Sequence, residues 1–484
     1  MRVPAPPKID DQKVGFFRFR KVGGKYVLTN DTGQFARLTQ AQFAKFLGGK
    51  LKSKDVLHQE LRAKGFIRDF MDFDKTVEAW SQRHSYLMQG PNLHIIVVTL
   101  RCDHACTYCQ TSSAPMDRDG LDMTQETAKK TVDTAFETPN PAMTIEFQGG
   151  EPLANWPVVK YIVEYALKKN KEKHKTLMLN LVSNLSLMDD KKLKFLLDKG
   201  VNICTSLDGP QHVHNANRIL RGGNSHANVI AWFKKIKKLT KGKPHGIDAL
   251  MTTTRLSLKY PEEIIDEYVR LGARGIYLRG LSPFGFAKKT WDVIGYSADE
   301  YLEFYTRALD HIFKLNKKKR FFEQHARLYA AKILKNEEPN FLDQRDVCGA
   351  GIGQIAYNYD GRVFTCDEGR MLAQMSDEAF KIGDVNKDTY GDMINHATVR
   401  ACASASCLDN NAECSSCAYK PYCGTCPVEN YFLQGDLFLR APLSGRCRIY
   451  KGQMDYFFKK MEDPWIVKTM KSWTRVPSGL YQRD

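Results

Sequence analysis

Residues 90–285 alternate between short apolar runs and longer segments whose apolar positions recur at helical spacing. The short runs predict strands and the longer segments predict helices. A repeated strand and helix alternation indicates α/β architecture, with a parallel sheet and helices outside it. Functional residues are then expected at the carboxyl ends of the strands. The predicted strands are 93–100, 143–147, 176–182, 201–207, 247–251 and 275–281, and the predicted helices are 124–136, 157–169, 189–199, 227–239 and 261–271.

The flanking segments have other patterns. In residues 1–85, strands at 16–20 and 25–30 and helices at 39–47 and 54–64 predict a small α+β unit. The predicted division of the 484 residues is 1–85, a barrel at 90–300, a helical connector at 301–345, a cysteine-rich domain at 346–450 and a tail at 451–484.

Charge and hydropathy exclude some classes of protein. No apolar run approaches the roughly 18 residues of a membrane span, and the N-terminus lacks a signal-peptide pattern, so the expected compartment is the cytoplasm. The net charge of +17 suits nucleic acid, an anionic membrane or an acidic peptide equally. Its lysine runs lack interleaved aromatic residues, so we expect solvated surface and no nucleic-acid partner.

The thirteen cysteines are unevenly spread, with three between positions 102 and 109 and nine between 348 and 447. Because a reducing compartment disfavours disulfides, clustered thiols indicate metal. Two metal regions are therefore predicted. Cys204 stands alone inside a predicted strand and is expected to be a small buried apolar residue.

The first region, LRCDHACTYC, holds Cys102, Cys106 and Cys109 without a fourth cysteine nearby. Three thiolates suit a [4Fe–4S] cluster with one iron open to a reactant. Zinc with His104 as the fourth ligand is the alternative. The Cys-x3-Cys-x2-Cys spacing, with Tyr108 before the third cysteine, resembles the radical S-adenosylmethionine (radical SAM) superfamily. This resemblance implies a partial (β/α)6 barrel that binds S-adenosylmethionine.

Further matches to the superfamily fall at the ends of later strands. The run QGGEP resembles the GGE motif, which implies that the cofactor's methionyl amino group is held there. Ser183 and Asn184 close the third strand, and SLDGP closes the fourth, as in peptide-modifying members. Arg218 is expected to pair with the cofactor carboxylate. The cofactor-binding residues implied are Tyr108, Gly149, Gly150, Glu151, Pro152, Ser183, Asn184, Ser206, Asp208 and Arg218.

The second region resembles the SPASM auxiliary-cluster domain of radical SAM peptide maturases. By this resemblance an outer cluster is held by Cys414, Cys417, Cys423 and Cys447, and an inner one by Cys348, Cys366 and Cys426. The dense run is one residue shorter at its end than the usual form. The fourth inner position is open or filled by Cys402 or Cys407, of which we favour Cys407. Zinc knuckles are the alternative for the dense run.

Two carboxylates follow Cys366 directly. In sulfatase-maturing relatives an aspartate at the position of Asp367 serves as a base, and Glu368 stands beside it. Either residue is alternatively a hydrogen-bond acceptor near a cluster ligand or a surface residue.

Across nearly its full length the chain resembles the B-type radical SAM maturase of the His-Xaa-Ser repeat system. Residues 1–85 resemble the winged-helix peptide-recognition element of peptide-modifying systems, and an N-terminal cap that serves packing alone is the alternative. The resemblance to the maturase implies three [4Fe–4S] clusters, an external one-electron reductant such as flavodoxin or ferredoxin, and a precursor peptide whose leader binds the N-terminal domain. The activity implied is reductive cleavage of S-adenosylmethionine to a 5'-deoxyadenosyl radical, which takes a hydrogen atom from the peptide. The alternatives are a formylglycine-forming anaerobic sulfatase maturase and a non-catalytic zinc protein that binds nucleic acid.

Overall fold

The computed structural model of the chain describes residues 9–68, 72–241, 243, 245–338 and 344–475. The residues outside these ranges are 1–8 and 69–71 of the predicted first domain, 242 and 244 of the predicted barrel, 339–343 of the predicted connector and 476–484 of the predicted tail. No helix within the described residues combines the length and the apolar character needed to cross a membrane.

The N-terminal unit is a three-stranded antiparallel sheet packed against helices. The predicted strands and helices lie within two residues of the observed ones, and a third strand was not predicted. Its first helix is capped by Thr39, whose side chain forms a capping box with Gln42. The elements are β1 (Arg18–Val22), β2 (Lys25–Thr29), β3 (Phe35–Leu38), α1 (Gln40–Leu47), α2 (Val56–Ala63) and α3 (Phe73–His84).

Residues 93–279 form the barrel. Its strands are β4 (Leu93–Thr99), β5 (His104–Cys106), β6 (Ala142–Gly149), β7 (Thr176–Ser183), β8 (Asn202–Ser206), β9 (Arg218–Leu220), β10 (Ile247–Thr252), β11 (Gly275–Ile276) and β12 (Leu278–Arg279). Its helices are α4 (Gln125–Ala135), α5 (Trp156–Lys173), α6 (Asp190–Asp198), α7 (Gln211–Asn217), α8 (Ser225–Leu239) and α9 (Pro261–Arg270). Strands β4, β6, β7, β8, β10 and β12 pair in parallel in that order, which confirms the α/β fold class. The predicted sixth strand is divided, because β11 pairs instead with residues Phe322–Glu323.

Side chains on the barrel strands alternate between the helices and the interior, as the period of a strand requires. On β6, Ile145 and Phe147 are buried in the main apolar core, whereas Thr144, Glu146 and Gln148 line an interior cavity. The barrel therefore has an apolar outer layer, and β6 contributes polar side chains to its interior.

The C-terminal part extends the same sheet. Strand β14 pairs in parallel with β4, and β15 and β16 continue in antiparallel fashion, which gives nine strands in all within the described residues. The elements are α10 (Phe286–Ile294), α11 (Ala298–Asn316), β13 (Phe322–Glu323), α12 (Gln324–Leu334), β14 (Gln354–Tyr357), β15 (Arg362–Phe364), α13 (Asp367–Ala373), β16 (Lys381–Asp384), α14 (Tyr390–Ile394), α15 (Ala397–Ser406), α16 (Ala412–Ser415), α17 (Pro427–Gln434), α18 (Gly445–Lys460) and α19 (Pro464–Trp473). The predicted tail is thus partly two helices, and Trp473 of the second is fully buried.

Candidate active site

A cavity of about 360 Å³ opens at the carboxyl ends of the barrel strands. Cys102, Cys106 and Cys109 line it, and none of them forms a disulfide. In the pairing of β5 with β9, Cys106 lies opposite Arg218. Of the residues expected to bind the cofactor, those on the cavity wall are Tyr108, Gly149, Gly150, Ser183, Asn184, Ser206 and Arg218.

The two glycines allow the end of β6 to lie against the cysteine loop. The Gly150 amide donates to Thr99 O at 2.9 Å, and a Cβ on Gly150 would lie 2.3 Å from Arg101 O. Gly149 has φ of 143°, and a Cβ there would lie 2.1 Å from Thr99 O. A side chain at either position is therefore excluded by backbone that cannot move independently of the sheet.

Glu151 is buried behind the cavity wall, where it joins the ends of β6 and β7. Its Oε1 accepts hydrogen bonds from Ser183 Oγ at 2.8 Å and Leu153 N at 3.0 Å, and its Oε2 accepts from Asn184 N at 2.8 Å. Burial raises the pKa of the Glu151 carboxyl to about 7, although these hydrogen bonds act to lower it. Pro152 follows at the first position of a buried 3-10 turn. Glu151 thus orients two residues that do face the cavity.

Asp208 also lies behind the wall and is fully buried. Tyr108 Oη donates to its Oδ2 at 2.6 Å, Arg218 Nε donates to the same atom at 3.2 Å, and Thr252 N donates to Oδ1 at 3.1 Å. The Arg218 guanidinium lies 5.2 Å from the centroid of the Tyr108 ring. Within this cavity Asp208 therefore holds Tyr108 and Arg218 in place, whereas Ser206 faces the interior.

His104 is the fourth ligand in the zinc alternative. Both of its ring nitrogens contact other protein groups. Its Nε2 is 2.8 Å from Ser225 Oγ, and its Nδ1 is 2.9 Å from both Asp103 Oδ1 and Asn184 Nδ2. One ring nitrogen of His104 and the potential ligand atoms of Cys102 and Asp103 lie within 4.8 Å of one another. This set does not contain all three thiols. This arrangement does not assemble a three-cysteine and histidine site.

The three thiols fit an iron–sulfur cluster. Burial raises the pKa of the Cys106 thiol to about 12, and a bound metal core would stabilise its thiolate.

Asp367 and Glu368 also line the cavity, at the start of α13. Asp367 Oδ1 accepts a hydrogen bond from Arg370 Nε at 2.8 Å, and the Arg370 side chain is fully buried. Tyr277, Arg279 and Glu146 share this part of the wall and were not identified from the sequence. The signal available for Glu146 was its place among the alternating polar positions of a strand whose other positions are apolar.

The C-terminal cysteines form two sets. Cys414, Cys417, Cys423 and Cys447 line one small cavity together. Cys348, Cys366 and Cys402 are buried in one apolar cluster, against which Cys426 packs. The expected outer and inner cysteines are thus brought together as two sets, and Cys204 is buried in β8.

Cys402, and not the favoured Cys407, lies in this apolar cluster. The Thr365 hydroxyl donates a hydrogen bond to Cys366 Sγ at 3.7 Å. Ser406 Oγ accepts from Cys348 N at 3.0 Å and donates to Cys402 O at 2.7 Å. Cys407 lies at the end of α15, outside this cluster.

Sequence comparisons identify the barrel. The model of the Radical SAM superfamily matches residues 96–268. The radical SAM cyclopropyl synthase TigE of Paramaledivibacter caminithermalis is 26% identical over 156 residues, which cover 30% of this chain and 32% of TigE. A cysteine-type anaerobic sulfatase-maturating enzyme of Clostridium perfringens is 32% identical over 122 residues, 24% of this chain and 32% of that enzyme. The chain thus spans about a third of the length of these two relatives, and 65% of an uncharacterized protein of Methanocaldococcus jannaschii.

Solved structures share the fold. The structure of native anSMEcpe with bound AdoMet has a TM-score of 0.62 at 17% identity and covers 78% of this chain and 99% of its own. Streptococcus suis SuiB bound to the precursor peptide SuiA has a TM-score of 0.55 at 14% identity and covers 89% of this chain and 99% of its own. The superfamily implies a [4Fe–4S] cluster and S-adenosylmethionine as cofactors. Residues 96–268 therefore form a radical SAM domain.

Proposed function

We propose that this enzyme is a maturase of the His-Xaa-Ser type, which modifies a residue of a ribosomally made precursor peptide. The observation that carries the proposal is a second cavity of about 490 Å³ beside the first, formed between the end of the barrel and helices α17 and α18. Tyr277, Arg279 and Glu368 line both cavities. Two adjoining cavities suit an extended peptide, with one residue in the barrel and its neighbours outside.

Cys102, Cys106 and Cys109 would hold the first cluster, and the lining residues from Gly149 to Arg218 would hold S-adenosylmethionine. When bound, these groups supply a radical that removes a hydrogen atom from the substrate. Arg218 and Tyr108, fixed by Asp208, would orient the cofactor. Glu151 contributes a buried carboxylate near Gly150, which favours a cationic ammonium at this end. The enclosing strands keep water from the reacting atoms.

We further propose that the two C-terminal cysteine sets hold auxiliary clusters, which makes three [4Fe–4S] clusters in total. Cys402 would complete the inner set in place of Cys407. A one-electron reductant such as flavodoxin or ferredoxin would reduce the first cluster. Asp367 or Glu368 would accept a proton from the substrate.

The peptide substrate has independent support from relatives. The structural neighbour SuiB, which covers 89% of this chain, is bound to a precursor peptide in its solved structure. The N-terminal α+β unit would bind the leader of such a peptide. The functional divisions of the chain would be residues 1–85, 90–300, 301–345, 346–450 and 451–484. Anaerobic sulfatase maturation is the second candidate, because Asp367 lies in the cavity where that reaction would need its base.

The first experiment is reconstitution with iron and sulfide in the absence of oxygen. We expect about twelve irons per chain and release of 5'-deoxyadenosine under reductant, and we expect Cys106→Ala to abolish the release. Cys204→Ala is the matched control, since Cys204 lies within β8 away from the cysteine sets. Bound zinc without cofactor cleavage would contradict the proposal. Mass spectrometry of peptides with His-Xaa-Ser repeats, against sulfatase peptides that carry Ser or Cys, separates the two candidate functions.

A further inference from the structure

Residues 110–113 turn back from the third cysteine to the start of the cysteine loop. The Ala114 amide donates to Leu100 O at 2.7 Å, and the Cys102 amide donates to Ala114 O at 2.8 Å. Ser112 has φ of 53°, a left-handed conformation that residues with a side chain rarely adopt. The turn at Ser112 therefore returns the chain to a point that backbone hydrogen bonds fix, so this segment is held in place by the barrel.

Two hydroxyl groups meet at the Cys109 sulfur in this turn. Cys109 Sγ lies 3.3 Å from Thr111 Oγ1 and 3.3 Å from Ser113 Oγ, and all three residues line the barrel cavity. Either partner can donate while Cys109 is a thiol. A thiolate that ligates iron carries no proton, so both hydroxyls must then be the donors. A metal-bound Cys109 would thus accept two O–H···S hydrogen bonds from the residues that follow it.

The Cys102 sulfur has a different kind of partner. Its Sγ accepts from the His104 backbone amide at 3.5 Å and from the side-chain amide of Asn184 at 3.8 Å. A backbone amide cannot be removed by substituting the side chain of the residue that carries it. The donors at Cys109 are side-chain hydroxyls, so their effect on the sulfur can be measured one at a time.

Hydrogen bonds to ligand sulfurs are one of the factors that set the reduction potential of an iron–sulfur cluster. Each donor stabilises negative charge on the thiolate, and uptake of an electron makes the cluster and its ligands more negative. The donors therefore stabilise the reduced form more than the oxidised form, which raises the potential. This effect is larger in a cavity of low dielectric constant than in water.

We propose that Thr111 and Ser113 raise the reduction potential of the first cluster by donating two hydrogen bonds to the Cys109 thiolate. One electron passes to the cluster from an external one-electron reductant, which is oxidised. No covalent bond changes, and both hydroxyls keep their protons. The inference rests on the proposed function only for the ligation of the cluster by Cys109, and it does not depend on the substrate.

The test compares the reduced fraction of the first cluster at fixed potentials, in the reconstituted full-length enzyme without S-adenosylmethionine. The EPR signal of this cluster is the part of the spectrum that Cys106→Ala removes. At the potential that half-reduces the wild type, we expect the ratio of reduced to oxidised cluster to fall about threefold in Thr111→Val and in Ser113→Ala. In the double variant we expect a fall of about tenfold, which is a shift of about 59 mV for one electron.

Two further variants separate the hydroxyl from the rest of the side chain. Thr111→Ser keeps the hydroxyl and should keep a ratio close to that of the wild type. Thr176→Val is the matched control, because Thr176 is exposed at the first residue of β7, at the opposite end of that strand from Ser183 in the cavity wall. Its ratio should equal that of the wild type.

An unchanged or higher ratio in both single variants, or an equal fall in Thr111→Ser and Thr111→Val, would overturn the proposal. An unchanged ratio with weaker binding of S-adenosylmethionine would also overturn it, and would assign the hydroxyls to the cofactor. If the double variant does not retain iron, the single variants decide. A wild type without an EPR signal that Cys106→Ala removes would contradict the proposed function as well, whereas a signal with an unchanged ratio contradicts this inference alone.

Discussion

Tyr108 donates a 2.6 Å hydrogen bond to Asp208 across the top of the barrel, and both side chains are buried. Tyr108 belongs to the cysteine loop after β4, whereas Asp208 follows β8. The cysteine loop is therefore fixed to a strand on the far side of the cavity as well as to its own neighbours.

Asp208→Asn should weaken this attachment. The change removes the charge that compensates buried Arg218, and breaking a buried pair of this kind costs about 3–5 kcal/mol. We expect a lower melting temperature and a loss of S-adenosylmethionine affinity of about tenfold or more, measured by calorimetry on the reconstituted enzyme. Asp198→Asn, which removes an exposed carboxylate paired with Lys194, is the control. Unchanged cofactor affinity in Asp208→Asn would show that Arg218 and Tyr108 keep their places without it.

Gly150→Ala should displace the end of β6. Its Cβ would lie 2.3 Å from Arg101 O and 2.5 Å from Leu100 O, which are backbone atoms of the cysteine loop. We expect incomplete reconstitution of the first cluster, measured as iron and absorbance per chain. Gly391→Ala is the control, because the nearest atom to its Cβ lies 3.7 Å away. Full iron content and wild-type cofactor affinity in Gly150→Ala would contradict a close approach at this point.

Cys402→Ser and Cys407→Ser should differ. If Cys402 completes the inner set, its loss leaves a site with three thiols, and the Mössbauer spectrum or the iron content of one cluster should change. Cys407 lies outside the buried set, so its replacement should leave all clusters as in the wild type. The opposite result would assign the fourth ligand position of the inner cluster to Cys407. No change in either variant would mean that this position has no cysteine ligand.

Asp248 should make stability depend on pH. Burial raises the pKa of its carboxyl to about 8, whereas the usual value in an unfolded chain is about 4. The folded state then binds more protons than the unfolded state between these values, so stability falls as the pH rises from about 4 to about 8. Asp248→Asn should raise the melting temperature at pH 8 by a few degrees and change it little near pH 4. An equal change at both pH values would show that the effect is unrelated to ionisation.

Much of the barrel could be predicted because the information is local. The apolar positions of β6 and the helical spacing of α4 or α5 set each element without reference to its partners. The extension by β14, β15 and β16 could not be predicted, since pairing between β14 and β4 joins residues far apart in the sequence. The cysteine end of the cavity could be predicted for a different reason. The residues of each sequence motif are contiguous in the chain, so the motif is recognisable without knowledge of the fold.

The orientation of single side chains was harder to predict. Ser206 faces the cavity, but Asp208 lies after the end of β8 and turns behind the wall, so membership of one motif did not decide exposure to the cofactor site. Cys402 and Cys407 are close in the sequence, and the rotation of α15 separates a buried thiol from one at the helix end. Glu146 required knowledge of which face of β6 is the interior.

The continuous sheet has a consequence for the passage of electrons under the proposed function. Because β14 is hydrogen-bonded to β4, and β15 leads within two residues to Cys366, backbone hydrogen bonds rather than a flexible linker set the separation between the inner cysteine set and the barrel cavity. Asp367 and Glu368 come next in the chain and line the cavity itself. An electron that leaves the substrate would therefore cross a fixed distance. The rate of electron transfer would not depend on the closure of one domain over another.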